Sequence, residues 1–149
     1  MKTLIVIRPD AVRRGLVGEI LTRFERHGIR IVGLRVMQLT KEKTAQLYKQ
    51  HENKPYYQNL VDQMTAGPMV ACVLDTDVLD TDSAVALVRR IIGNTDPAKA
   101  EMGTIRGDFG LRIEQNIIHA SDSRESANQE IPLFFDKTEI VKFNETEQH

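Results

Sequence analysis

In VGEILTRFERHGIRIVGLRVMQL, residues 17–39, the apolar side chains Val17, Ile20, Leu21 and Phe24 recur at i, i+3, i+4 and i+7, one stripe of an amphipathic helix. Gly28 ends that helix, and Ile29 to Leu39 follows at once as a strand. Outward from this junction, Leu4 to Ile7 and Met69 to Leu74 are short apolar runs bounded by Pro or charge, the pattern of central strands buried on both faces. Thr40 caps a helix over about Lys41 to Glu52, and another runs from about Tyr57 to a stop at Gly67-Pro68. Beyond the Met69 strand, Asp82 is placed to cap a helix carrying Val85, Leu87, Val88, Ile91 and Ile92. The stretch from Thr104 reads as irregular until Ile117, and Asn116 to Ile118 as a short strand. Asp122-Ser123-Arg124-Glu125 then fits the acidic form of a capping box, opening a helix with Ala127, Ile131 and Phe134. The order β-α-β-α-α-β-α-β-α, with its direct helix-to-strand return at Gly28, predicts an α+β protein. The expected form is a ferredoxin-like α/β sandwich of the split-βαβ kind, with an antiparallel sheet covered by helices, rather than a doubly wound sheet.

The 149 residues suit one domain, 1–149, since no linker, low-complexity tract or composition break marks a second. A hydrophobic share of 41% with 28% charged residues is ordinary for a globular chain and excludes disorder. Lys plus Arg number 20 and Asp plus Glu 21, a net charge of −1, so the general basic field of nucleic-acid binders is absent and any phosphate site must be local. The longest apolar run, Met69 to Leu74, is far short of the roughly 20 residues that span a bilayer. Arg8 interrupts the apolar start before it reaches signal-peptide length, so the expected location is the cytoplasm. The single cysteine, Cys72, sits inside PMVACVL as a small buried hydrophobe.

The usual phosphate motifs are missing: nothing matches the P-loop, and Gly107 with Gly110 lacks dinucleotide spacing. A bound nucleotide must then be held by side chains. Asp75, Asp77, Asp80 and Asp82 cluster in the near-repeat LDTD-V-LDTD, but without the central Gly and the Glu at the twelfth position that a calcium loop needs, so they read as a solvated loop with an N-cap. His27 and His51 have no second ligand at useful spacing and read as surface or helix-end residues. His119 differs, standing between Ile117-Ile118 and the polar ASDS stretch that leads into a capped helix. A helix N-terminus favours anions, and an imidazole held there, oriented by Glu130 or Glu125, could attack phosphorus and carry a phosphoryl group. Arg8, Arg89, Arg90 and Arg106 fall at element ends or in loops from which they could converge on a polyphosphate. GTIRGDFG, residues 103–110, has three Gly in eight positions and reads as a loop of special backbone geometry.

Together IRPDAVRRGLVGEILTRFE, GTIRGDFG and NIIHASDSRESA, in this order along the chain, resemble the nucleoside diphosphate kinase family, over about residues 3 to 135. The resemblance implies an enzyme, a phosphotransferase moving the γ-phosphoryl of a nucleoside triphosphate to a nucleoside diphosphate by a ping-pong route through a phosphohistidine, with Mg²⁺ bridging the phosphates and no protein metal site. By motif, His119 is the nucleophile, Glu130 orients the imidazole, Ser121 ties down that carboxylate, and Tyr48 lies near the transferred phosphate. Arg89, Thr95 and Arg106 match phosphate-binding positions, Arg89 being preferred to Arg90 because it lies six residues before Thr95. Asn116 matches the ribose contact, and Tyr56 with Ile113 the pair that sandwiches the base, where stacking accepts any base. A homo-oligomer is also implied, a hexamer sooner than a tetramer.

The chain departs from the family pattern in three relevant places. Arg8 stands where the family carries a Lys against the moving phosphoryl, Tyr56 where Phe is usual, and Ala120 where Gly is common. Arg8 keeps the charge and changes its shape, and it is expected to reach the phosphate region. The competing readings are a nucleotide-binding homologue that transfers poorly because of Arg8, and a ferredoxin-like RNA-binding module. The second needs aromatic pairs and a basic surface, whereas five Phe, three Tyr and a charge of −1 offer neither.

Overall fold

Among the residues described by the computed structural model, 2–77 and 79–143, four strands form one antiparallel sheet: β1 (Lys2–Ile7), β2 (Arg30–Gln38), β3 (Pro68–Asp75) and β4 (Ile118–Ala120), in the order β2-β3-β1-β4. Leu4 to Ile7 and Met69 to Leu74 are buried at every position because β1 and β3 are the inner strands and helices cover both faces. Alternate residues serve different layers. Ile5, Ile7, Val70, Cys72 and Leu74 pack with Ala11 of α1 (Pro9–Arg13), Ile20 and Phe24 of α2 (Val17–Glu25), Val88, Ile91 and Ile92 of α5 (Thr81–Ile92) and Ile105 of α6 (Ile105–Phe109). Leu4, Val6, Met69, Ala71 and Val73 pack with Leu47 of α3 (Lys41–Leu47), Met64 of α4 (Tyr57–Met64) and Phe134 of α7 (Arg124–Phe134). The β1-to-β2 and β3-to-β4 crossovers each skip a strand, β3 lying between β1 and β2, and β1 between β3 and β4, so the two units interlock as the split-βαβ reading requires.

Several local expectations shift. The segment after β1 holds two helices rather than one, because Pro9 starts α1. α2 stops at Glu25, and Gly28, at φ +74°, closes the turn by donating to Glu25 O at 3.0 Å. α3 ends at Leu47, not Glu52, since Tyr48 leaves helical geometry (φ −109°, ψ 25°) and a 3-10 turn, Lys49–His51, follows. α4 ends at Met64, short of Gly67. The cap of α5 is Asp80, not Asp82: its side chain accepts from Ser83 N at 2.7 Å. Asp77 pairs with Arg30 and Asp82 with Arg124, so three of the four loop aspartates serve a cap and ion pairs. The cap of α7 is Ser123, whose Oγ accepts from Ser126 N at 3.0 Å, not Asp122, which accepts from the Ser126 hydroxyl at 2.5 Å. The stretch expected to be irregular contains α6, capped by Thr104, and a 3-10 turn, Ile113–Gln115. No helix among the described residues is long and apolar enough to cross a membrane.

Candidate active site

The short strand before the polar ASDS stretch begins at Ile118, not Asn116, and includes His119. The delay has a local cause: Ile118 N donates to Asn116 O at 2.8 Å across Ile117, a γ-turn that holds Ile117 at φ +77°. A β-branched residue at positive φ is strained, and here it is kept by complete burial of Ile117 in the core. His119 pairs with Val6, whose side chain belongs to the layer of α3, α4 and α7, so the imidazole enters that layer. There its Nε2 hydrogen-bonds Glu130 Oε1 on α7, and its ring meets the Tyr48 ring edge-on with centroids 5.3 Å apart. A carboxylate can only accept, so Nε2 carries the proton and Nδ1 keeps its lone pair. Of the two candidate orienters, Glu130 is buried beside the ring and Glu125 is exposed.

Three guanidinium groups share the cleft that holds this imidazole. Arg106 is 6% exposed and spends its fork on backbone: Nε donates to Asn116 O at 3.1 Å, Nη1 to Gly93 O at 3.1 Å and Nη2 to Ile118 O at 2.6 Å. Gly93, at φ +94°, offers that carbonyl from a position where a Cβ would meet Thr104 Oγ1 at 2.5 Å. Burial, with Arg89 and Arg8 nearby, pushes the Arg106 guanidinium down to about 10, which leaves it cationic at neutral pH. Arg89 Nη1 donates to Ala120 O at 3.2 Å, whereas Arg90 is exposed and outside the cleft. Arg8 is 4% exposed; Nη1 donates to Asn116 Oδ1 at 2.6 Å and Nη2 to Gln63 Oε1 at 2.5 Å, and Asp10 lies 3.6 Å from Nε. Like charges gathered this closely repel one another, and a polyphosphate relieves that cost. The basic site is therefore local, on a chain of net charge −1.

The cleft measures about 580 Å³, within the range of small-molecule sites, and every expected site residue except Ser121 lines it. Tyr56 and Ile113, the residues expected at the base, are 49% and 54% exposed, apolar faces open to solvent. Tyr56 OH hydrogen-bonds His51 Nδ1 at 2.6 Å, a partner that Phe could not have. Asn116 Nδ2 donates to the Thr95 carbonyl at 3.3 Å while its Oδ1 accepts from Arg8, which ties Thr95 to the arginine cluster. Tyr48 is 5% exposed and burial pushes its phenol up to about 12, so it stays a hydroxyl donor. Ser121 departs from expectation: its Oγ is buried with no hydrogen bond among the described residues, so it does not tie down Glu130, whose bond is to the imidazole.

Gln63, His51 and Asp122 line the cleft without having been expected there. The 3-10 turn after α3 brings His51 round to Tyr56, and Gln63 reaches Arg8 because α4 packs against α1, which starts at Pro9 beside Arg8. No spacing in the sequence marks either contact. The carboxyl of Asp122 is held below its usual range, chiefly by the Ser126 hydroxyl, and is ionised near neutral pH. No group of three His, Cys, Asp or Glu residues among those described converges as a metal-binding set.

Comparison with known proteins agrees with this geometry. Residues 1–140 match the nucleoside diphosphate kinase family. The chain is 48% identical over 140 residues to the nucleoside diphosphate kinase of Staphylothermus marinus, covering 94% of this chain and 96% of that protein. It is 46% identical over 142 residues to that of Thermosipho melanesiensis, covering 95% and 93%. Among solved structures it is similar to a halophilic nucleoside diphosphate kinase from Halobacterium salinarum in complex with CDP, with a TM-score of 0.90, 38% identity and coverage of 97% of this chain and 93% of that one. It is likewise similar to the Aquifex aeolicus enzyme, with a TM-score of 0.87, 42% identity and coverage of 94% and 98%.

Proposed function

The chain belongs to the nucleoside diphosphate kinase family, and from that premise we propose that His119 is its nucleophile and that Glu130, Tyr48, Arg8, Arg89 and Arg106 complete the phosphate end of the site. The enzyme transfers the γ-phosphoryl group of a nucleoside triphosphate to a nucleoside diphosphate, in the family's ping-pong manner. The observation that carries the assignment to His119 is the pairing of its Nε2 with Glu130, which leaves Nδ1 as the lone-pair nitrogen in an arginine-lined cleft. In the first half-reaction, Nδ1 attacks the γ-phosphorus: the N–P bond forms, the bond to the β-phosphate oxygen breaks, and a nucleoside diphosphate leaves. The imidazole gains positive charge as it bonds, and the Glu130 carboxylate offsets it at Nε2. The second half-reaction reverses these steps on another nucleoside diphosphate. Donor and acceptor are chemically alike, so one set of cations serves both, and catalysis is positioning and charge neutralisation.

Tyr56 and Ile113 would take opposite faces of the base and Asn116 and Thr95 the sugar-phosphate junction, with broad base specificity because a stacking platform reads no base edge. Members of the family depend on Mg²⁺. Among the described residues two carboxylates line the cleft, and Glu130 is engaged by His119, which leaves Asp122 and fits an ion held mainly by the nucleotide phosphates rather than by a protein cage. When bound, Mg²⁺ would neutralise phosphate charge. A homo-oligomer fits Leu34 and Val36, which are 53% and 68% exposed on edge strand β2, and the family resemblance points to a hexamer sooner than a tetramer. Light scattering at the 16.9 kDa monomer mass would overturn that assembly. A cytoplasmic place of action fits the nucleotide substrates and the free, buried Cys72.

The direct test is incubation with γ-labelled ATP and Mg²⁺. It should give an acid-labile, alkali-stable phosphoenzyme that any nucleoside diphosphate discharges and that His119→Ala abolishes. Label retained in His119→Ala would mean that another residue is the nucleophile.

A further inference from the structure

The two terminal nitrogens of the Arg8 fork are held by neutral amides from separate elements, while the Asp10 carboxylate lies 3.6 Å from Nε. Asn116 Oδ1, in the turn before β4, takes Nη1, and Gln63 Oε1, in the last turn of α4, takes Nη2. An arginine held at one nitrogen alone can swing about that contact, whereas two acceptors on separate elements fix the guanidinium plane. The requirement is particular to this chain, because a lysine in the same place would present a compact charge with no plane to fix. The acceptors at the two terminal nitrogens are also uncharged. A carboxylate at either position, added to Asp10 at Nε, would cancel the remaining charge that a phosphoryl group needs to meet. Gln63 is half-buried and lines the cleft, so it faces the same space as the group that Arg8 serves.

We propose that Gln63 is a positioning residue for phosphoryl transfer, which holds the Arg8 guanidinium in its working plane through a neutral hydrogen bond and so adapts the site to arginine. The proposal rests on the role given to Arg8 above. Its test is the single-turnover rate of phosphoenzyme formation from ATP and Mg²⁺ in the intact protein, with thermal unfolding of each variant measured alongside. Gln63→Ala should slow phosphorylation about threefold to tenfold, the range of one lost hydrogen bond, with KM little changed. Gln63→Glu preserves shape and replaces the neutral acceptor with a charged one. The need for a neutral acceptor predicts a loss at least as large as that of Gln63→Ala, diminishing as the pH falls into the carboxyl range, while the double variant with Arg8 separates positioning from packing. In an Arg8→Ala background, Gln63→Ala should add no further loss. A slow Arg8→Ala together with a parent-like Gln63→Glu, or fully additive losses in the double variant, would overturn the role of Gln63. An Arg8→Ala that phosphorylates at the parent rate would instead overturn the reading of Arg8 itself.

Discussion

The two ends of the cleft are built differently. At the phosphate end, Arg8 and Arg106 are 4% and 6% exposed, Arg106 is bound to three backbone carbonyls, and His119 is set in a strand against a helix-borne carboxylate. At the base end, Tyr56 and Ile113 are about half exposed and stand just before α4 and in a 3-10 turn. Charge develops at the first end, and groups fixed before the reaction spend no reorganisation energy when it does. The second needs only a flat face that any base can cover, which tolerates looser support. Substitutions at the phosphate end should therefore cost rate, and often stability, while those at the base end should cost affinity alone.

Arg106→Ala gives the sharpest expected contrast. It removes a cation proposed to meet phosphate and strands the carbonyls of Gly93, Asn116 and Ile118, a loss of about 3 kcal/mol or more in stability. In a chain of this size that corresponds to roughly 10 °C in Tm, readable by calorimetry together with a near-complete loss of turnover. An unchanged Tm would show that its backbone contacts do not hold the wall. Next, Arg8→Ala should cost about 2 kcal/mol in kcat/KM, with Arg8→Lys neutral or faster, since Lys keeps the charge. Unaltered kcat/KM in Arg8→Ala would mean that another cation meets the phosphoryl group.

Glu130→Gln keeps an acceptor for Nε2 but loses the charge that offsets the imidazole. Phosphorylation should slow about tenfold or more with nucleotide affinity retained, and a change confined to affinity would refute this role. At the base end, Tyr56→Ala should raise KM about tenfold for purine and pyrimidine nucleotides alike, leaving the phosphorylation rate at saturation near the parent value. A fall in that rate would erase the distinction between the two ends. Tyr56→Phe should be the mildest change, about threefold or less in KM, since only the hydrogen bond to His51 is lost and the ring remains.

What could be read from the sequence divides along similar physical lines. The inner strands were legible because burial on both faces demands continuous apolar runs, as in Leu4 to Ile7 and Met69 to Leu74. The α2 stripe and the return at Gly28 were legible because periodicity and a positive-φ glycine are local. Caps were less so. Asp80 competes with Asp82 two residues away, and Ser123 with Asp122 beside it, and the choice depends on where each helix must start to pack. α6 was hidden because five residues with Gly107 between the charged Arg106 and Asp108 leave only Ile105 and Phe109 to mark an apolar face, although Thr104 could have signalled its cap.

His119, its neighbouring helix and the cationic inventory were determined by the sequence, since residue identity and motif order carry the chemistry and the family. Which groups meet was decided only in three dimensions. The γ-turn at Ile117 survives because the core encloses it, and it sets the start of the strand that points His119 toward Glu130 and Tyr48. Packing of α4 against α1 brings Gln63 to Arg8, 55 positions apart in the chain, and the break after α3 brings His51 to Tyr56. Ser121, placed by motif against Glu130, makes no hydrogen bond there. A sequence motif states which donors and acceptors exist. The hydrogen bonds they form depend on distances of a few tenths of an ångström, which close packing of the whole chain imposes.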